Sequence, residues 1–117
     1  MTSRGLGRVA TVNLESGQPT VEQALQRMRN ALLTYKRQGV KAVVVIHGYG
    51  SSGVGGAIKT AVSPILAAPE MAGLVRKFVP GEDFTGTKRR DLIAMCKGLG
   101  EAHGIEGNAG VTIVVLR

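Results

Sequence analysis

Residues 41–56 read KAVVVIHGYGSSGVGG, and this stretch decides the fold. Ala42 to Ile46 form a continuous apolar run rich in β-branched residues, the signature of a strand covered on both faces. Glycines follow at once. Beyond them Val54, Ala57, Ile58, Ala61, Val62 and Ile65 recur at helical spacing, so the stretch is a strand, a glycine loop and a helix. Pro64 is expected to kink that helix or to restart it, with Ser63 capping the new turn.

Working outward, RVATVNL at 8–14 alternates as a half-buried strand with Val9 and Thr11 on one face. Thr20-Val21-Glu22-Gln23 has the form of a capping box. It opens a helix whose apolar stripe is Val21, Ala24, Leu25, Met28, Leu32 and Tyr35, and Gly39 ends it. Downstream, GLVRKFV at 73–79 predicts a third strand, residues 88–99 a short helix, and VTIVVL at 111–116 a last buried strand. GLGEAHGIEGNAG at 98–110 is a glycine-rich connection. The order is β-α-β-α-β-α-β. Two strands joined through a helix form a right-handed, parallel unit, so their carboxyl ends share the edge where open α/β sheets bind ligands. That edge would carry Asn13, Glu15 and Ser16, and the segment from His47 to Gly53.

The 117 residues suit one domain, 1–117. With 44% hydrophobic and 20% charged residues, the composition can bury a core and is not that of a disordered chain. The net charge of +7 favours an anionic partner, nucleic acid (DNA or RNA) first, although many basic domains bind no particular anion. One cysteine excludes an internal disulfide framework. Cys96 sits in the apolar pattern Leu92, Met95, Cys96, Leu99 as a buried structural thiol. The N-terminal residues hold no signal-peptide run, and no stretch approaches the roughly 18 apolar residues of a membrane span. A cytoplasmic protein without a membrane partner is expected, and the sequence is silent on oligomeric state.

Gly48-Tyr49-Gly50-Ser51-Ser52-Gly53 fits G-x-G-x-x-G, but the context of a dinucleotide fingerprint is missing. The motif follows the second strand, Glu70 falls in a loop (PEMAG) instead of at a strand end, and the chain is short. A phosphate-binding Walker loop fails too, since no glycine immediately precedes Lys59. Two readings stay open. In one, the backbone N–H groups of Gly48, Tyr49 and Gly50, the hydroxyls of Ser51 and Ser52, and Lys59 cradle an anion at a helix N-terminus. In the other, the glycines only serve a tight turn.

His47 is placed to act as acid or base, to hold a metal or to donate to a phosphate, or else to cap the strand end through a backbone bond. The other histidine, His103, reads as solvated. With two histidines and no carboxylate cluster, no zinc site is expected, and a magnesium ion held by Glu15 and water has no further support. No cofactor is therefore assigned. Lys88, Arg89 and Arg90 in the first turn of a helix oppose its dipole, which hints at phosphate contact or marks a solvated face. Arg27, Arg29, Lys36 and Arg37 read as ordinary surface charges. Aromatics are 3%, so the chain has no stacking platform; Tyr49, in an exposed loop, is the exception that could stack on one base.

These features resemble the Smr (small MutS-related) domain family. The resemblance rests on His47-Gly48-Tyr49-Gly50 after an apolar strand, and on Lys59 and Val62 in the next helix. Thr20 to Ala24 and the closing Gly110 to Leu116 add to it. It covers nearly all of the chain, with extra residues around 81–108. It implies a two-layer α/β sandwich with a four-stranded mixed sheet, similar to the C-terminal domain of translation initiation factor three. It also implies nucleic-acid binding and, in several members, DNA-nicking or RNA-cleaving endonuclease activity. The family's LDLHG element is absent: Asn13 stands in place of its acidic residue and Glu15 in place of its histidine.

Two functions follow from this. One is a nucleic-acid-binding domain with endonuclease chemistry at His47, in which Glu15 pairs with the imidazole and raises its basicity. Lys59 and the Lys88–Arg90 run would supply phosphate charge. The other is a catalytically inactive anion- or protein-binding module built on the same glycine loop.

Overall fold

A computed structural model describes residues 7–48 and 53–117, with side chains in the second helix from residue 56 onward. The strands are β1 (Val9–Asn13), β2 (Ala42–Ile46), β3 (Val75–Pro80) and β4 (Val111–Leu116). The helices are α1 (Val21–Arg37), α2 (Gly53–Leu66) and α3 (Gly86–Met95). The element order is the one expected, and the sheet is mixed, ordered β1-β2-β4-β3. β1 runs parallel to β2, while β4 lies antiparallel to both β2 and β3.

Local chemistry sets the first helix. Thr20 accepts from the Gln23 N–H at 3.1 Å, and the Gln23 side chain accepts from the Thr20 N–H at 2.9 Å. This reciprocal pair satisfies two donors that the helix start would otherwise leave without partners. Ala24, Met28 and Leu32 are buried from the apolar stripe, and the positive φ of Gly39 (81°) lets the chain turn into β2.

α2 continues through Pro64 to Leu66 without restarting. So near the helix end, the proline removes only its own hydrogen bond to the carbonyl four residues back. α3 is shorter than expected. Cys96 is extended (φ −148°), and residues Lys97–Glu101 form a separate 3-10 turn. A Cβ on Gly98 would stand 2.3 Å from the Gly7 carbonyl oxygen, so the chain passes close to the start of β1 here, and a glycine is required.

α1 and α2 form the second layer of the sandwich on one sheet face, over a core that includes Leu14, Met28, Leu32, Val43, Val45, Ile58, Val62 and Val114. Residues 81–108 cover the opposite face, where Phe84, Leu92, Cys96, Leu99 and Ile105 pack on Ala42, Val44, Ile113 and Val115. This explains why β2 and β4 are apolar at successive positions instead of alternating. Full burial of Leu14, Met28, Leu32, Leu92 or Leu99 stabilises by about 1.5–3 kcal/mol each. Among the described residues, no helix is long and apolar enough to cross a membrane.

Candidate functional site

The carboxyl ends of β1 and β2 and the start of β4 meet at one edge of the sheet. Directly after β2, the N–H groups of His47 and Gly48 both donate to the Gly110 carbonyl, at 3.0 Å each. Gly110 is itself held by its N–H donating to Asn108 Oδ1 at 2.8 Å. The backbone that leads into the glycine loop is thereby tied to the backbone that leads into β4.

The His47 ring turns inward and is 2% exposed. Nδ1 lies 2.9 Å from the Gly48 carbonyl oxygen, and Nε2 lies 2.9 Å from Thr112 Oγ1. A carbonyl only accepts, so Nδ1 carries the proton, and Nε2 accepts from the threonine hydroxyl. Burial holds the imidazole's pKa below its ordinary value. The Gly48 carbonyl opposes this and nearby Lys59 adds to it, while Glu82 and Glu15 pull weakly the other way. The ring is neutral and fully hydrogen-bonded.

Glu15 does not pair with that ring, contrary to expectation, because both ring nitrogens are already engaged. Its backbone is fixed by an Asx-type turn in which Asn13 Oδ1 accepts from the N–H groups of Glu15 (2.8 Å) and Ser16 (3.2 Å). Its carboxylate lies against Gly48: a Cβ there would meet Glu15 Oε2 at 2.1 Å, at a backbone φ of +78°. Gly48 is therefore favoured by its left-handed backbone, and the carboxylate crowding it is the far end of an exposed side chain. Arg27, read from the sequence as a surface charge, clamps this turn by donating to the carbonyls of Asn13 (3.0 Å) and Ser16 (2.8 Å).

Lys59 reaches this edge from α2, but its ammonium is engaged, with the Ala109 carbonyl at 2.5 Å and Glu82 Oε1 at 3.3 Å. Lys88, Arg89 and Arg90 belong to α3, on the sheet face opposite α2. Lys88 and Arg90 are exposed, whereas Arg89 lies 5.9 Å from the Phe84 ring centroid with Nε 3.6 Å from Glu106 Oε1. Tyr49, Gly50, Ser51 and Ser52 lie outside the described residues. Among the described residues, no three His, Cys, Asp or Glu side chains gather as metal ligands. Cys96 is 2% exposed, and burial raises its thiol pKa, which keeps it protonated and inert.

Sequence reasoning missed Thr112, Asn108 and Glu82. Thr112 left one signal, a single hydroxyl in the otherwise aliphatic run VTIVVL, which a buried strand tolerates only with a partner. Asn108 and Glu82 left none, since both are polar residues in connecting segments.

Comparison with known proteins agrees with this architecture. The Smr domain family model matches residues 17–117. Comparison with curated proteins finds no match. Among solved structures, the chain is similar to the Smr domain of Thermus thermophilus MutS2, with a TM-score of 0.58 and 25% sequence identity. That match covers 92% of this chain and 98% of the other. With the His47–Gly48 corner placed between β2 and β4 as described, the chain belongs to the Smr domain family.

Proposed function

We propose that this Smr domain is a nucleic-acid-binding module in which His47 builds the base of the glycine loop. Family membership and the net charge of +7 support the choice of partner. The observation that carries the assignment of His47 is its engagement on both ring nitrogens inside the protein. A histidine that already accepts from Thr112 and donates to Gly48 offers a substrate no free nitrogen. Binding by phosphate neutralisation makes log K fall linearly with log[salt]. Titration of single-stranded, duplex and structured nucleic acids at several salt concentrations tests this, and flat salt dependence would contradict it.

A second reading, endonuclease chemistry, is favoured by the Glu15 carboxylate against Gly48 beside a neutral imidazole. It requires Nε2 to exchange the Thr112 hydroxyl for a substrate or water hydroxyl, with the ring then acting as general base. Glu15→Gln and His47→Ala would each abolish cleavage under this reading. Blank nuclease assays of the native chain, with and without added magnesium, would leave binding alone. A small anion in place of nucleic acid would show itself as phosphate binding without any dependence on nucleic-acid length.

A further inference from the structure

The parallel and antiparallel pairings bring the starts of β1, β2 and β3 and the end of β4 to the edge opposite His47. Backbone bonds tie this edge together: Lys41 and Ala42 donate to the Arg8 carbonyl, Leu116 to that of Lys41, and Arg117 to that of Leu74. Cations stand at each strand end here: Arg8 just before β1, Lys41 just before β2, Arg117 just after β4, and Arg76 and Lys77 within the start of β3. Lys97 follows Cys96, whose sulfur stands 3.0 Å from where a Cβ of Gly7 would be. All six side chains are exposed.

Lys36 and Arg37 end α1 nearby, but a helix C-terminus accounts for them through its dipole, so they carry no weight here. Arg76 and Lys77 also guard an edge strand. Lys41 and Lys97 have no such explanation. Arg8 and Arg117 are held by donating to the carbonyls of Gln38 and Ala72. Among the described residues, none of the six pairs with a carboxylate. The ion pairs Lys59–Glu82 and Arg89–Glu106, among the described residues, involve other side chains. Glu15, Glu22, Glu82 and Asp83 lie in or beside the connections after β1 and β3, whereas Glu70 sits in the turn before β3 and Glu101 ends the turn that begins with Lys97.

We infer that the edge formed by Arg8, Lys41, Arg76, Lys77, Lys97 and Arg117 is the main phosphate-gripping surface of this domain. It holds a nucleic-acid backbone by charge, without base readout. The inference rests on the nucleic-acid reading above and relocates its affinity away from His47. Four strand ends at about 4.8 Å spacing make a row of roughly 14 Å. A row of that length can face more than one phosphate of a single backbone strand. No aromatic side chain stands in it for stacking, and Leu33 on α1 is the exposed large hydrophobic among the described residues. The edge thus lacks the apolar wedge that a membrane surface would use.

The test compares three forms of the full chain on a duplex and on a single strand across a salt series. They are the native protein, K41Q/R76Q/K77Q/K97Q, and a charge control, Q26E/N30D/T34E, on the exposed face of α1. Matching thermal midpoints confirm that each is folded. The expected result is a salt slope shallower by about 3–4 on the duplex and about 3 on the single strand in the edge variant and unchanged in the control, since each lost phosphate contact removes about 0.9 and about 0.7 respectively. Affinity at ~0.1 M salt should fall at least tenfold in the edge variant. A native-like slope in the edge variant overturns this inference and leaves nucleic-acid binding standing. If the native chain binds no nucleic acid, both readings fall, whether or not it binds phosphatidylserine vesicles or an acidic protein.

Discussion

Thr112, at the start of the central strand β4, donates its hydroxyl to His47 Nε2 at 2.9 Å across a separation of 65 residues. Both residues are 2% exposed. The bond joins the end of β2 to the start of β4 where the glycine loop departs, so the loop's base depends on a side chain from the far end of the chain.

Removing that hydroxyl should be costly. Thr112→Val leaves Nε2 buried without a partner, and the expected loss is about 1–3 kcal/mol of stability. Thr112→Ser, which keeps the donor, should lose less. Urea unfolding of the two variants checks this, and equal losses would mean that the methyl group matters and the bond does not.

The lowered pKa of His47 gives stability a defined pH dependence. Its folded value lies below the ordinary 6.5, so the unfolded chain binds the proton more readily. The stabilising contribution is complete above pH 6.5 and is lost as pH falls from there through the folded value. The thermal midpoint should therefore drop between pH 7.5 and 5.5, and less so in His47→Gln. In the native chain, nitrogen NMR shifts of the ring should report the neutral Nδ1–H form at pH 7.5.

Two glycines should respond differently to alanine. At Gly48 the φ of +78° costs about 1–2 kcal/mol, but the crowding atom belongs to Glu15, an exposed side chain that can swing aside. Glu15→Ala in the Gly48→Ala background should recover only the crowding part. At Gly81 the new Cβ would meet the backbone oxygens of Asn108 at 2.0 Å and Val111 at 2.9 Å, neither of which can rotate away. Gly81→Ala should fall at the upper end of about 1–3 kcal/mol or beyond it. Chemical denaturation ranks the three.

Glu82 restrains Lys59. Its side chain is 49% exposed, so Glu82→Gln should change stability by no more than about 1 kcal/mol. Freeing the ammonium should raise nucleic-acid affinity up to about fivefold and steepen the salt slope by about 0.9 if Lys59 takes a phosphate. An unchanged slope would assign Lys59 to joining α2 to residues 82 and 109.

What local chemistry controls was readable from residues alone. The Thr20–Gln23 capping box placed the start of α1, because its partners lie three residues apart. The unbroken apolar runs of β2 and β4 announced strands buried on both faces, which residues 42–46 and 111–116 are. The turn after β1 was legible as an edge, while the role of Asn13 within it was not. An asparagine that accepts from the next two N–H groups looks like any loop asparagine until the turn is seen.

The sequence by itself determined which segments become strands and helices, because periodicity and capping act within a few residues. It also pointed to a parallel β1–β2 pair through a β-α-β unit, although β3 and β4, likewise joined through a helix, run antiparallel. Only the tertiary structure decided that β4, last in the chain, inserts between β2 and β3. That insertion brings Thr112 to His47 and Gly110 to Gly48, turning a candidate acid–base histidine into a buried, doubly bonded one. The same strand order lines Arg8, Lys41, Arg117 and Arg76 along one edge, although they are scattered over 109 residues of sequence. Strand order arises from how two faces of one sheet are covered at once, and no local pattern encodes it.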